Sequence, residues 1–415
     1  MRKPEDIERL YIDFDSFFAT AEQHLQPHLR GRPVGVIPID TPNTGLIAAS
    51  REAKRLGITR GMWARDARRV CPDIVLVAAR HEKYVALHKQ ILAAIERVLP
   101  VTAVRSIDEM VCALAANEGA RAEAVGRAVK AAVADHVGRT VTCSVGLGPN
   151  ELLAKIAAEM EKPDGLVVIR PEDLPGALLR LALIDIPGIA RGNAARLERA
   201  GVTDVAGFWA LAPKQARAIW GNVEGERLWA LLRGYAIEKA ETERAMFGHG
   251  RVLPHSWRTP ERLEACARVL VVKAARRMRR EGFAARALAL WFSDRNTAGW
   301  FGEERFGPVF DDRSILGSLS HLFASARRTG APLAGRSLHV ALHDLVHADD
   351  VTRDLFEFTP EFSNRRRWER LSLLADRLNA RYGRAALNVG PWVEPPGGYA
   401  GAKIAFNRIP DDADF

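Results

Sequence analysis

Apolar and polar positions recur with two different periods along this chain, and the switches between them outline its elements. Leu10-Tyr11-Ile12 is a strand-like run that ends at Asp13 and Asp15, and a helical pattern follows from Phe17 through Glu22. Val34-Gly35-Val36-Ile37 and Leu46-Ile47-Ala48-Ala49 read as strands joined by the turn Pro42-Asn43-Thr44-Gly45. Ser50 then caps a helix that ends near Gly57. In residues 81–100, Tyr84, Leu87, Ile91, Leu92 and Ile95 fall at three- and four-residue spacings with Pro100 as the stop, which predicts a helix. Residues 101–105 and 110–114 are β-prone runs on either side of Ser106-Ile107-Asp108-Glu109. Residues 122–136 repeat the helical pattern and 141–146 read as a buried strand. With 23–80 set aside as an insert, the order is strand, helix, strand, strand, helix, strand, which predicts a ferredoxin-like layer.

From Pro171 the pattern becomes helical and rich in Leu, Ala and Arg. A charged connector over 236–244 precedes a second series: a strand at 246–253, a helix begun by Thr259-Pro260-Glu261 and running to Arg280, and strands at 287–292 and 300–306. A helix at 312–327 and a strand at 337–345 complete it. Residues 365–382 predict an amphipathic helix with Leu371, Leu374 and Leu378 on one face, and the Pro- and Gly-rich 391–414 an extended tail. The fold class expected is therefore a multidomain α+β chain.

Composition narrows the classes. A chain of 415 residues has room for two to four domains. No apolar run reaches bilayer length, and Met1 to Asp6 lack the apolar core of a signal peptide, so a soluble, cytoplasmic protein without a membrane partner is expected. Cys71, Cys112, Cys143 and Cys266 have neither zinc-site nor disulfide spacing. A formal net charge of +9 favours a polyanionic partner.

Two acidic clusters carry the candidate chemistry. Asp108 and Glu109 lie between two strands, and Asp13 lies at the end of another. If the three converge, a cation has to hold the like charges together, and magnesium suits such oxygen ligands. Arg51 and Lys54, beside the helix N-terminus at Ser50, make a phosphate cradle conceivable, although cations on a helix face are commonly just solvated. Arg276, Arg277, Arg279 and Arg280 cluster at a helix C-terminus, where they complement the dipole and could track phosphates.

The motifs Asp13-Phe14-Asp15-Ser16-Phe17-Phe18, Ser106-Ile107-Asp108-Glu109, Ser144-Val145-Gly146, Asn150 to Ala157 and Lys162-Pro163-Asp164-Gly165 together resemble the palm of Y-family DNA polymerases, the translesion enzymes of the DinB and UmuC type. The resemblance extends over about residues 8–345. It implies a right-hand polymerase: a palm at 1–22 and 81–170, fingers at 23–80, a thumb at 171–236, a linker at 237–244, a βαββαβ little finger at 245–346 and a C-terminal region at 347–415.

It also implies site residues. Asp13, Asp108, Glu109 and the Phe14 carbonyl would hold two magnesium ions. Phe17 and Phe18 would meet the nucleotide, with Phe18 as the steric gate against a 2′-hydroxyl, and Lys162 would reach the triphosphate. The family's finger helix carries Tyr and, three residues later, Arg; this chain has Arg51 and Lys54, which predicts lowered nucleotide affinity. Residues 183–202 resemble a helix-hairpin-helix thumb that offers backbone N–H groups at Gly188 and Ala190 to a DNA phosphate, with Ala190 in place of the usual second glycine. Thr352 to Phe356 resemble a sliding-clamp peptide, with Leu355 and Phe356 as the inserting pair. The activity implied is template-directed addition of deoxynucleoside triphosphates to a primer, by a monomer acting in translesion synthesis. A non-catalytic mutagenesis accessory of the same architecture and a nucleotide cyclase on a similar palm are the alternatives.

Overall fold

A five-stranded sheet organises the first of two units. The computed structural model describes residues 1–38, 40, 43–237, 243–294, 297–351, 360–382, 386–395 and 409. One unit spans Met1–Ala240 and the other Glu241–Lys403. β1 (Arg9–Phe14) leads into α1 (Phe17–Leu25). The chain then forms a side layer of β2 (Val34–Ile37), β3 (Ala48–Ala49), α2 (Arg51–Arg55), α3 (Ala64–Val70) and β4 (Val75–Ala78), with strand order β3-β2-β4. As expected, Ser50 caps α2, its hydroxyl accepting from the Ala53 N–H at 3.3 Å.

The main sheet resumes with α4 (His81–Ile95), β5 (Val101–Val104), β6 (Glu109–Ala113), α5 (Ala116–Gly119) and α6 (Ala122–His136). It is completed by β7 (Cys143–Gly148), α7 (Glu151–Met160) and β8 (Leu166–Val168). The strand order is β5-β6-β1-β7-β8, antiparallel except for the last pair. The first four strands with α4 and α6 are the expected βαββαβ layer; β8 is an addition too short to show a period. Alternation assigns the faces: Val145 and Leu147 meet Gly126 of α6, whereas Gly146 faces α7. A Cβ at Gly146 would lie 2.0 Å from the Ala154 carbonyl oxygen, so glycine is what lets α7 lie so close.

Four short helices complete this unit: α8 (Arg191–Arg199), α9 (Val205–Ala210), α10 (Pro213–Trp220) and α11 (Val223–Leu232). Their core, with Ile186, Leu197, Phe208 and Trp220, is continuous with Leu153 and Ile156 of α7. Asn150 reinforces the joint: it caps α7 through the Leu153 N–H at 2.9 Å and donates to the Leu231 and Tyr235 carbonyls at 2.7 and 3.0 Å. The first arm of the hairpin is one 3₁₀ turn, Leu183–Asp185, because Pro187 follows too soon for an α-helix to form.

The second unit contains β9 (Met246–Val252), α12 (Pro260–Arg280), β10 (Phe283–Asp294), β11 (Thr297–Val309), α13 (Asp312–Arg328), β12 (Ser337–His347) and α14 (Pro360–Tyr382). The element order before α14 is again βαββαβ, but the antiparallel sheet runs β11-β10-β12-β9. Leu288, Leu290, Phe292, Leu338, Val340 and Leu342 face a core shared with Leu270, Met278, Leu319 and Phe323 of the two helices. α14 departs from its leucine pattern: Leu371 and Leu374 are exposed, and the buried side carries Ser372 and Asn379. Ser372 accepts the Asp312 N–H at 3.1 Å, and Asn379 exchanges two 2.9 Å hydrogen bonds with the Leu387 backbone. That helix docks over ionic groups, and satisfying them decides which side turns inward. Among the described residues no helix is long and apolar enough to cross a membrane.

Candidate active site

Asp13 stands at the end of the central strand β1 and pairs in register with Glu109, the first residue of β6. The turn between β5 and β6 carries Asp108, and the Phe14 N–H donates to its carbonyl at 2.9 Å, which fastens the turn to β1. His88 of α4 supports the same turn, its Nδ1 lying 2.8 Å from the Ile107 carbonyl oxygen. The three carboxylates open on one cavity of about 420 Å³, also lined by Phe14, Phe17, Phe18, Ala48, Ala49, Lys54, Arg60, Ser106 and Lys162.

Each acid has a local partner. Lys162 Nζ lies 2.7 Å from Asp13 Oδ2 and 2.8 Å from Glu159 Oε1. Lys155 of α7 pairs with Glu109 and donates to the Tyr11 hydroxyl at 3.0 Å, and the Ser106 hydroxyl donates to Asp108. Burial raises the Asp13 carboxyl to about 7 against the pull of Lys162, and the charges of Glu159 and Asp108 add to the rise. Burial disfavours the Lys162 ammonium, but Asp13 holds its pKa above the ordinary lysine value. Carboxylate oxygens with a backbone carbonyl beside them are a hard donor set of the kind magnesium takes, and an acid that resists ionisation among other acids gains from a cation. In donor chemistry the residues therefore fit a divalent ion. Among the described residues no three His, Cys, Asp or Glu side chains are grouped closely enough to share one ion, since Asp13 and Glu109 turn toward lysines.

Phe18 is 6% exposed and stacks on Tyr84 with centroids 4.7 Å apart, while His81 meets it edge-on at 5.9 Å. The Tyr84 hydroxyl donates to the fully buried Glu22 at 2.6 Å, and Arg80 pairs with the same carboxylate. Phe17 packs against Phe14 at 6.1 Å.

The cations divide differently from the expectation. Lys54 and Lys162 line the cavity, but Arg51 does not: its Nη2 donates to Asp15 Oδ2 at 2.8 Å and to Thr142. Arg60, which the sequence reading did not select, lines the cavity. It lies between Gly57 and Gly61, both with positive φ, and the bond from the Gly61 N–H to the Leu46 carbonyl at 2.8 Å folds that loop back beside β3. The two glycines were the available signal; the return toward β3 is a tertiary contact that spacing does not encode.

Gly188 and Ala190 line a separate cavity of about 780 Å³ against Lys155 and Glu159 of α7. Gly188 has φ +100°, a conformation favouring glycine, and Ala190 is the N-cap of α8 without a side-chain cap. In the second unit, Arg279 is buried. It pairs with Asp312 at 2.7 Å and Asp376 at 2.6 Å, Arg276 reaches Asp376 at 3.2 Å, and Arg277 donates to the Gly248 carbonyl at 2.6 Å. Of the four arginines, Arg280 alone is exposed. Leu355 and Phe356 lie outside the described residues.

Known proteins share this architecture. The impB/mucB/samB family matches residues 12–159, and that family's C-terminal domain matches 244–355. A DNA polymerase IV of Moorella thermoacetica is 33% identical over 396 residues, covering 92% of this chain and 95% of the relative. A DNA polymerase IV of Alkalilimnicola ehrlichii is 33% identical over 287 residues, 68% of this chain and 79% of that protein. Among solved structures, a Y-family polymerase chimera of Dbh and Dpo4 aligns over 82% of this chain and 99% of its own, with a TM-score of 0.70 and 23% identity. A Dbh ternary complex aligns over 81% and 98%, with a TM-score of 0.57 and 24% identity. In fold this is a multidomain α+β right-hand polymerase, and the chain belongs to the Y family of DNA-directed DNA polymerases.

Proposed function

We propose that this chain extends a DNA primer on a template, including damaged templates, using deoxynucleoside triphosphates. The observation that carries the reading is the single cavity in which Asp13, Asp108 and Glu109 meet Lys54, Lys162 and the Phe18 ring. Asp13, Asp108, Glu109 and the Phe14 carbonyl would hold two magnesium ions, which when bound make the primer 3′-hydroxyl more acidic and offset charge on the departing pyrophosphate. With such ions in place, Asp13 and Glu109 would no longer need their lysine partners. Lys162, released from Asp13, is free to meet the triphosphate, with Lys54 and Arg60 beside it on the cavity wall. The primer oxygen forms a bond to the α-phosphorus, the bond to pyrophosphate breaks, and the hydroxyl proton passes to water or a substrate oxygen, since no side chain in the motifs is set aside as a base.

Phe18, held from behind by Tyr84, selects against a 2′-hydroxyl, and Ala48 and Ala49 leave room for altered bases. The Gly188 to Ala190 hairpin offers backbone N–H groups to DNA phosphates, and Arg280 adds an exposed cation. Action as a cytoplasmic monomer in the response to DNA damage, with Leu355 and Phe356 inserting into a sliding clamp, completes the reading. Primer extension with magnesium tests it. Asp108→Ala should lower the rate by about 10³-fold, the worth of several kcal/mol of charge stabilisation, while leaving primer-template binding intact. Extension undiminished in that variant overturns the assignment.

A further inference from the structure

Asp15 is a buried acid that the chemistry above does not use. It is 4% exposed, and its carboxylate is enclosed by donors from separate parts of the chain. Oδ2 accepts from Arg51 Nη2 at 2.8 Å, from the Thr142 hydroxyl at 2.8 Å and from the Asp164 N–H at 2.9 Å. Oδ1 accepts from the Ser144 hydroxyl at 2.8 Å. A buried carboxylate is stable only when so satisfied, and removing one donor leaves charge that no solvent relieves.

Two of the attached segments carry cations of the cavity. Asp164 is two residues beyond Lys162, whose ammonium lies 2.7 Å from Asp13. Its φ of +64° is a left-handed conformation that needs support, which comes from Asp15 on one side and from Lys130 on the other. Arg51 opens α2, and Lys54, one turn later, lines the cavity. Arg51 itself is turned away from the cavity and into the Asp15 network.

We propose that Asp15 and Arg51 form a positioning pair. Asp15, directly after β1, holds α2 through Arg51 and the Lys162 loop through the Asp164 N–H, and so sets Lys54 and Lys162 at the spacing that receives the nucleotide's phosphates. Arg51 in this chain is thus a fastening within the protein and makes no direct phosphate contact. The proposal rests on the polymerase reading, and its failure is separable from failure of that reading.

A double-mutant cycle with Asp15→Asn, Arg51→Gln and the double variant tests the pair. It is followed by steady-state extension and by equilibrium binding of a deoxynucleoside triphosphate, with thermal melting as the check on folding. Each single variant should raise KM and the nucleotide's dissociation constant about tenfold with a smaller change in kcat, and the double variant should be no worse than the poorer single. Arg51→Lys, which keeps a charge near Asp15, should fall between wild type and Arg51→Gln and serves if Arg51→Gln does not fold. If Arg51→Gln costs as much in the Asp15→Asn background as in wild type, Arg51 touches the phosphates directly and the proposal is wrong. Unchanged nucleotide binding in both single variants also overturns it. A wild-type protein that binds nucleotide with the expected non-additivity yet extends no primer defeats the polymerase reading and leaves the pair standing.

Discussion

Phe18 owes its place to what stands behind it. The Tyr84 ring stacks on it, Glu22 anchors the Tyr84 hydroxyl, and Arg80 neutralises Glu22, so the cavity wall is stiff at the ring that the proposed function sets against the sugar. Removing the ring should raise ribonucleotide insertion by Phe18→Ala roughly 100-fold relative to deoxynucleotide insertion, read as the ratio of kcat/KM for the two sugars. His88 offers a different test. Burial pushes its imidazolium pKa down against the Ile107 carbonyl and the Asp108 charge, so folding favours the neutral ring. A group with a depressed cationic pKa contributes stability above its unfolded value, about 6.5, and loses it as pH falls through the folded one. Thermal melts should therefore show a fall in stability on the acid side that is shallower in His88→Gln. The three carboxylates could be singled out from residue type and strand position, and they do line one cavity. Arg60 and the diversion of Arg51 could not be, because both depend on which loop lies beside which strand.

At the scale of elements, periodicity succeeded where an apolar core selects the inward side. α6, α12 and α13 lie within a residue of their patterns, and the β5–β6 hairpin carries Asp108 in its turn, although Glu109 is already the first residue of β6. It misled at α14, where ionic groups set the inward side and left Leu371 and Leu374 exposed. The arginine cluster shows the same competition. Four cations at the end of α12 suggested phosphate tracking, yet Arg279 is fully engaged by Asp312 and Asp376. Arg279→Met should destabilise the second unit by about 3 to 5 kcal/mol in thermal or urea melts, since the buried Asp312 loses its counter-ion and the half-buried Asp376 keeps only Arg276. Arg280→Ala should reduce the salt slope of DNA binding by about one.

Across the whole chain, the order of motifs carried the architecture further than local pattern could. Both units share the element order βαββαβ, but one sheet runs β5-β6-β1-β7 and the other β11-β10-β12-β9. Element order leaves that difference open, because the same hairpins and crossovers can be laid down in either arrangement. What specifies each is which strand edges the helices leave to pair, a property of distant residues acting together.

The register of Asp13 against Glu109 has a consequence for how this centre can change over generations. Side chains alternate between the faces of β6, so Glu109 shares its side with Val111, and Met110 points to the other. Exchange of one letter can delete a carboxylate and spare the sheet. Gain or loss of one residue in the turn would rotate every later side chain of β6 and carry Glu109 into the opposite layer. A lineage can therefore inherit this centre or abandon it, but it has no gradual route to sliding it along the strands.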